Sequence, residues 1–238
     1  MLADLPISAQ AGRLEPEIQL PWTARYELLD FIADELPRWR DRPERRPETS
    51  ETALTGQLCA HLNSAARFSD GWSRVQFGTE VRDEVHRGRA IDLAARPCGA
   101  VIIIEGRRHT QFDMLLPIEC KRLPTPRDGD RDEREYVVTG SGTTGGIQRF
   151  KLGYHGAAHR VAAMIAYVQQ LDFAHWLIEI NGWIRALSAE RDSAWSDSDL
   201  LEQDKEDSAR GLCILRSQHQ RGGGSEECDL RHLWVKMN

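Results

Sequence analysis

The sequence predicts an α/β protein with a mixed central β-sheet flanked by helices. Two short alternating segments, GRAIDLA at residues 88–94 and PIECKRL at 117–123, read as half-buried strands that each carry an acid. A continuous apolar run at 160–168, RVAAMIAYV, reads as a fully buried strand, and the segment after it, FAHWLIEINGWIRAL at 173–187, has helical spacing. Strand, helix and strand in alternation are the signature of a sheet with helices on its faces.

In chain order, the first element is a helix over residues 22–39, with Tyr26, Leu29, Ile32, Ala33 and Leu36 on one face and Pro37 expected to end or kink it. A Pro/Arg/Glu linker at 40–48 follows. The next helix, 51–63, repeats Leu54, Leu58 and Leu62, with Ser50 as N-cap. VIIIEGRRH at 101–109 is a further strand between the two acid-bearing ones. GSGTTGGIQRFKLGYHG at 140–156 reads as a Gly-rich loop feeding a helix. The acidic stretch 188–207 reads as a solvated loop or helix face, and GLCILRS (211–217) and LRHLWVKM (230–237) read as closing strands around a turn at Gly222, Gly223 and Gly224. Residues 1–47 are thus an N-terminal extension with an amphipathic helix and charged linker, and 48–238 one domain with a C-terminal elaboration.

Composition narrows the classes. No apolar run approaches the roughly 20 residues of a membrane span, and no basic-then-apolar signal pattern opens the chain, so the expectation is a cytoplasmic protein. The five cysteines form no Cys-x-x-Cys and leave an odd count, which fits reduced thiols. The formal net charge of -6 argues against a polyanion as partner, but between Arg87 and Arg127 eight Arg or Lys residues face four acids. A local basic surface is what phosphate contacts require.

The chemistry centres on Glu119 and Lys121. Alternation places them on one strand face, directed at a cleft, with Ile118 and Cys120 on the core face. Asp92 lies in the other acid-bearing strand. Two carboxylates and a lysine suit phosphodiester hydrolysis: oxygen ligands hold Mg2+, the cation acidifies a bound water, and the lysine orients that water or offsets transition-state charge. Two rivals are weaker. Asp113 would stand roughly 20 Å from Glu119 along one continuous strand. Glu105-Gly106-Arg107 offers an arginine, poorly suited to handling a water proton.

An acid followed by Glu-x-Lys at the end of another strand resembles the PD-(D/E)xK nuclease superfamily. The resemblance covers about residues 48–170, although no proline precedes Asp92 and the separation from Glu119 is wide. It implies a restriction-endonuclease-like core and a metal-dependent DNA endonuclease, with restriction or antiphage defence as the setting, Mg2+ as cofactor and Mn2+ as a substitute. It also implies Asp92 and Glu119 as metal ligands, joined by Glu51 and the Cys120 carbonyl, and a catalytic Gln148. Glu51 serves equally well as an acid favouring its helix dipole. Arg89, Arg122, Arg149 and Lys151 are the candidate nucleic-acid contacts, and the start of the Gln148 helix is a candidate phosphate site. The alternatives are a non-cleaving DNA-binding or interaction subunit and an RNA or repair nuclease; a homodimer or a partner subunit fits either. A tetrahedral Zn site from His155, His159, Cys228 and His232 is disfavoured, because Leu230 and Leu233 mark the second pair as lying in a strand.

Overall fold

The computed structural model describes residues 16–126, 131–140, 142–221 and 227–237; the Gly222–Gly224 turn and Arg127 lie outside them. A seven-stranded mixed sheet forms the centre, in the order β2 (Val75–Arg82), β3 (Ala90–Pro97), β6 (Leu116–Leu123), β7 (Val161–Val168), β10 (Cys228–Lys236), β9 (Leu212–His219) and β8 (Glu202–Asp207). The β6/β7 and β7/β10 pairs are parallel and the others antiparallel. A small second sheet joins β1 (Glu17–Leu20), β4 (Val101–Ile104) and β5 (Arg107–His109).

Strand alternation divides the core into two layers. Ile118, Cys120, Ile165, Tyr167, Leu233 and Val235 face one side, where α1 (Ala24–Arg40) and α2 (Glu51–Arg67) cover them. Leu123, Met164, Ala166, Leu230 and Trp234 face the other, under α3 (Gly146–Lys151) and α4 (Phe173–Ser188). Leu54, Leu58 and Leu62 of α2 are fully buried as their spacing predicts, and the Ser50 hydroxyl accepts from the Ala53 N–H at 3.3 Å. No helix among the described residues is long and apolar enough to cross a membrane.

Several expectations need correction. Pro37 does not end α1: the helix runs on to Arg40, and the Asp41 N–H reaches the Pro37 carbonyl at 3.0 Å. Burial of Trp39, whose ring lies 5.7 Å from that of Tyr167, anchors the last turn and offsets the bond lost at proline. Residues 101–109 do not enter the main sheet. They form a hairpin whose turn, Glu105 (φ 53°) and Gly106 (φ 76°), has the two left-handed positions of a tight two-residue turn. The rival Glu-Gly-Arg motif is therefore a hairpin turn, with Glu105 paired to Arg25 at 3.2 Å. Asp113 precedes β6 and accepts from the Thr110 hydroxyl at 2.7 Å. Part of the acidic stretch is neither loop nor helix: Glu202–Asp207 pairs with β9 as an exposed edge strand, tertiary pairing overriding poor strand propensity.

Candidate functional site

The pairing of β3 with β6 runs through Ala95↔Leu116, Ala94↔Pro117 and Leu93↔Ile118 and then stops. The next opposed positions would be Asp92 and Glu119. The strands part here, and the Asp92 side chain takes over where a backbone carbonyl would continue the ladder: its Oδ2 accepts from the Cys120 N–H at 2.9 Å. A strand residue directs its N–H and C=O to the same edge, so the Cys120 carbonyl also faces this fork.

Lys121 fills the fork. Its Nζ lies 3.1 Å from Glu119 Oε1, 3.3 Å from Glu51 Oε1 and 3.8 Å from Asp92 Oδ2. Three carboxylates from α2, β3 and β6 thus converge on one ammonium. Glu51, the first residue of α2, also accepts from the Arg122 N–H at 3.2 Å through Oε2, so it does more than favour the helix dipole. One expectation changes. Glu119 and Lys121 share a face, but that face is closed: Glu119 has no exposed surface and Lys121 is 4 % exposed. The helix α3 and the turn after it lie over it. Arg149 ion-pairs with Glu119 Oε1, and the His155 Nδ1 contacts Oε2 at 3.1 Å.

These neighbours set the charges. Burial alone would raise the Glu119 carboxyl, but Lys121, then His155 and Arg149, outweigh it and hold the group at about 2. Asp92 goes the other way. Burial, then repulsion from Glu119, lifts it to about 7 against the partial relief given by Lys121 and the Cys120 N–H. Burial opposes the charge on Lys121, yet Glu119, Glu51 and Asp92 together raise its affinity for its proton. The cluster is short of positive charge at Asp92.

The remaining predicted residues fall elsewhere or act differently. Gln148 turns back on its own helix start, its Oε1 accepting from the Gly145 N–H at 3.3 Å; its neighbour Arg149 is the residue that meets Glu119. The α3 start is no phosphate cradle, because the Gly146, Ile147 and Gln148 amides donate to the carbonyls of Glu135, Tyr136 and Val137. The glycines serve that approach: a Cβ at Gly145 would stand 2.3 Å from Val138 Cα, and one at Gly146 2.4 Å from Met164 Cε. Lys151 is buried against Asp199, at 2.8 and 2.9 Å, and is not a surface cation. Arg122 donates to the Thr49 carbonyl at 2.7 Å. Arg89 bonds Thr143 Oγ1 at 3.1 Å and stacks on Tyr154 at 4.2 Å from the ring centre. His155 and His159 lie in turns, not on a helix, and the four suggested Zn ligands do not meet: His159 contacts Glu84 at 3.2 Å, His232 bonds Tyr136 at 2.8 Å, and Cys228 is buried in the second core layer.

The sequence reading missed a second polar cluster on the same sheet face. His219 Nδ1 lies 2.6 Å from Asp199 Oδ1, which requires an N–H there and leaves Nε2 to accept from the Ser217 hydroxyl at 2.7 Å. Ser217 Oγ must then accept from His232 Nε2–H at 2.8 Å, so His232 Nδ1 accepts from the Tyr136 hydroxyl at 2.8 Å. Tyr136 in turn accepts from the Trp234 N–H at 2.9 Å. Every proton has one place, with both imidazoles neutral. The connectivity is that of a serine–histidine–aspartate relay, but Ser217 is 3 % exposed and its Oγ already donates to His219 and accepts from His232, so the hydroxyl has no access to a substrate. The available signal was Ser217 and His219 two apart on a strand whose alternate positions are apolar.

Fit to a hard divalent cation rests on the donor chemistry: three carboxylates and a strand carbonyl, all oxygen, with the Asp92 carboxyl lifted by burial first and by Glu119 second. Among the described residues no three His, Cys, Asp or Glu side chains already frame a common ion position; the carboxylates point at Lys121. No family model, curated protein or solved structure matches the chain.

Proposed function

We propose that this protein is a divalent-metal-dependent nuclease of the PD-(D/E)xK kind, hydrolysing phosphodiester bonds within DNA. The observation that carries the reading is the convergence of Glu51, Asp92 and Glu119 on Lys121, within 3.8 Å, where β3 and β6 part. Asp92 and Glu119, with Glu51 and the Cys120 carbonyl, would hold Mg2+ or Mn2+. When bound, the cation supplies Lewis acidity and lowers the pKa of a coordinated water. Lys121, kept charged by its carboxylates, orients the attacking oxygen and offsets charge on the phosphorane. Arg89 and Arg149 supply phosphate contacts.

Incubating the purified protein with plasmid, linear duplex, single-stranded DNA and RNA, each with Mg2+, Mn2+ or EDTA, tests this. Metal-dependent cleavage of DNA is expected, with Glu119→Ala and Lys121→Ala each reducing it by about 10³-fold. Wild-type rates in either variant would remove the assignment, and cleavage of RNA alone would move it to an RNA nuclease. A second reading, a non-cleaving DNA-binding subunit, draws on the complete burial of Glu119 among Lys121, Arg149 and His155. Salt-dependent DNA binding without cleavage under any metal condition would favour it.

A further inference from the structure

We propose that Arg149 is exchanged between Glu119 and a phosphate of the bound DNA, so that the nucleic-acid backbone itself frees Glu119 to hold the divalent cation. This rests on the nuclease reading and specifies how the site is regulated. Glu119 has no exposed surface, and three side chains occupy its oxygens: Lys121 and Arg149 on Oε1, His155 on Oε2. A carboxylate offers about four acceptor positions, so little capacity remains for an ion. One partner has to leave.

The three are not equally fixed. Lys121 is 4 % exposed and also held by Glu51 at 3.3 Å; His155 is 1 % exposed and packs edge-on against Phe150, with ring centres 6.2 Å apart. Arg149 is the most exposed of the three, its side chain 19 % accessible. It meets Glu119 through Nη1, and its Nε is buried without a hydrogen-bond partner. A guanidinium is built to make two parallel bonds to a carboxylate or a phosphate, and here its Nε donor is idle. Its backbone is pinned: the Arg149 N–H donates to the Gly145 carbonyl at 3.0 Å, and the Arg149 carbonyl accepts from the Tyr154 and His155 N–H groups at 2.8 and 3.1 Å. The exchange is therefore a side-chain rotation, with no movement of α3. Arg89, stacked on Tyr154 in the turn that follows α3, is a second cation near the same turn.

The consequence is positive coupling. DNA should raise metal affinity, and metal should raise DNA affinity by the same factor, about five-fold or more. The probe is Mn2+, with free ion read from its paramagnetic resonance signal. The full chain is titrated alone and with a short mixed-sequence phosphorothioate duplex that resists cleavage, after subtraction of Mn2+ bound by the duplex. For the wild type, Mn2+ should bind about five-fold tighter with duplex present. Arg149→Gln should reach that affinity without duplex and gain nothing from it. If Mn2+ binding by the wild type ignores the duplex, or Arg149→Gln binds no tighter than the wild type, the exchange is wrong. Asp92→Asn separates the two layers of argument: Mn2+ binding that needs Asp92 but ignores duplex and Arg149 sinks only the exchange, whereas absence of Asp92-dependent binding in all titrations sinks the metal site itself. Should Arg149→Gln fail to fold, the wild-type pair of titrations still decides.

Discussion

Two buried polar clusters sit on the same face of one sheet, and the six-residue helix α3 serves both, sending Arg149 to Glu119 on β6 and Lys151 to Asp199 beside β9. They differ in completeness. Around Asp199 each donor has one acceptor and each acceptor a donor, from Trp234 through Tyr136, His232, Ser217 and His219 to the carboxylate. Around Lys121 three carboxylates compete for one ammonium, and Asp92 is lifted to about 7, by burial first and Glu119 second. A finished network specifies a rigid core; at the fork, the raised Asp92 carboxyl is the feature on which the proposed cation site depends.

The sharpest way to break the comparison is to remove the anchor of the finished cluster. Asp199→Ala strands the Lys151 ammonium, 4 % exposed, and the His219 N–H, and should cost about 3–5 kcal/mol in urea unfolding. The folded fraction should keep its metal affinity. A loss below about 1 kcal/mol would show that this network is not what holds β9 and α3 together.

Asp92→Asn should do the reverse, giving a metal-free protein at neutral pH at least as stable as wild type, yet without cleavage. The Asp92 pKa is raised from 3.8 to about 7, so the unfolded chain releases its proton first, and stability falls as pH rises from about 4 to about 7. One pKa unit is about 1.4 kcal/mol, and screening at a side chain 28 % exposed cuts the product, so the penalty is about 2 kcal/mol. Mn2+ should recover it in wild type; an equal metal-induced rise in melting temperature in Asp92→Asn would show that Asp92 holds no ion.

The finished cluster has the opposite slope. Burial, above all, lowers the pKa of both His219 and His232 below the ordinary value of 6.5. Their contribution is complete above about pH 6.5 and is lost as pH falls from there toward the depressed folded values. Ser217→Ala, which leaves an imidazole nitrogen of each histidine unpaired, should cost about 1–3 kcal/mol. Chemical denaturation across pH 4 to 8, in wild type and in Asp92→Asn, separates the two slopes; an acid limb that survives replacement of both histidines would assign it elsewhere.

The smallest effect is expected at Gln148. Because its amide caps its own helix, Gln148→Ala should cost about 1 kcal/mol or less and leave cleavage within a few-fold of wild type. A loss of several hundred-fold in single-turnover rate would bring Gln148 back into the site.

Legibility in the sequence followed locality. Strand alternation was enough to put Glu119 and Lys121 on one face, and leucine spacing was enough to set α2, whose first residue, Glu51, then reaches Lys121. The turn before α3 was readable, but the rotation of a six-residue helix was not: one residue is about 100° of arc, which exchanges Gln148 for Arg149. Lys151 looked like a surface cation because its partner, Asp199, stands 48 positions away in a stretch that reads as solvated acid. For the same reason β8 was unreadable: a strand made of Glu, Gln, Asp and Lys has no apolar period, and only its pairing with β9 makes it one.

That edge strand has an effect on approach rather than on folding. Glu202, Asp204, Glu206 and Asp207 run along the free margin of the sheet, four strands from β6, or about 19 Å at the usual spacing. At physiological ionic strength the screening length is about 8 Å, and the margin is electrically remote from the fork; at 0.01 M it is about 30 Å, and the whole sheet lies within its field. Lowering the salt therefore brings the fork within reach of whatever charge this margin keeps after Glu202 and Asp204 pair with Arg216 and Arg231. The same row of charged side chains, set against a second copy of itself, disfavours strand-by-strand self-association at this margin.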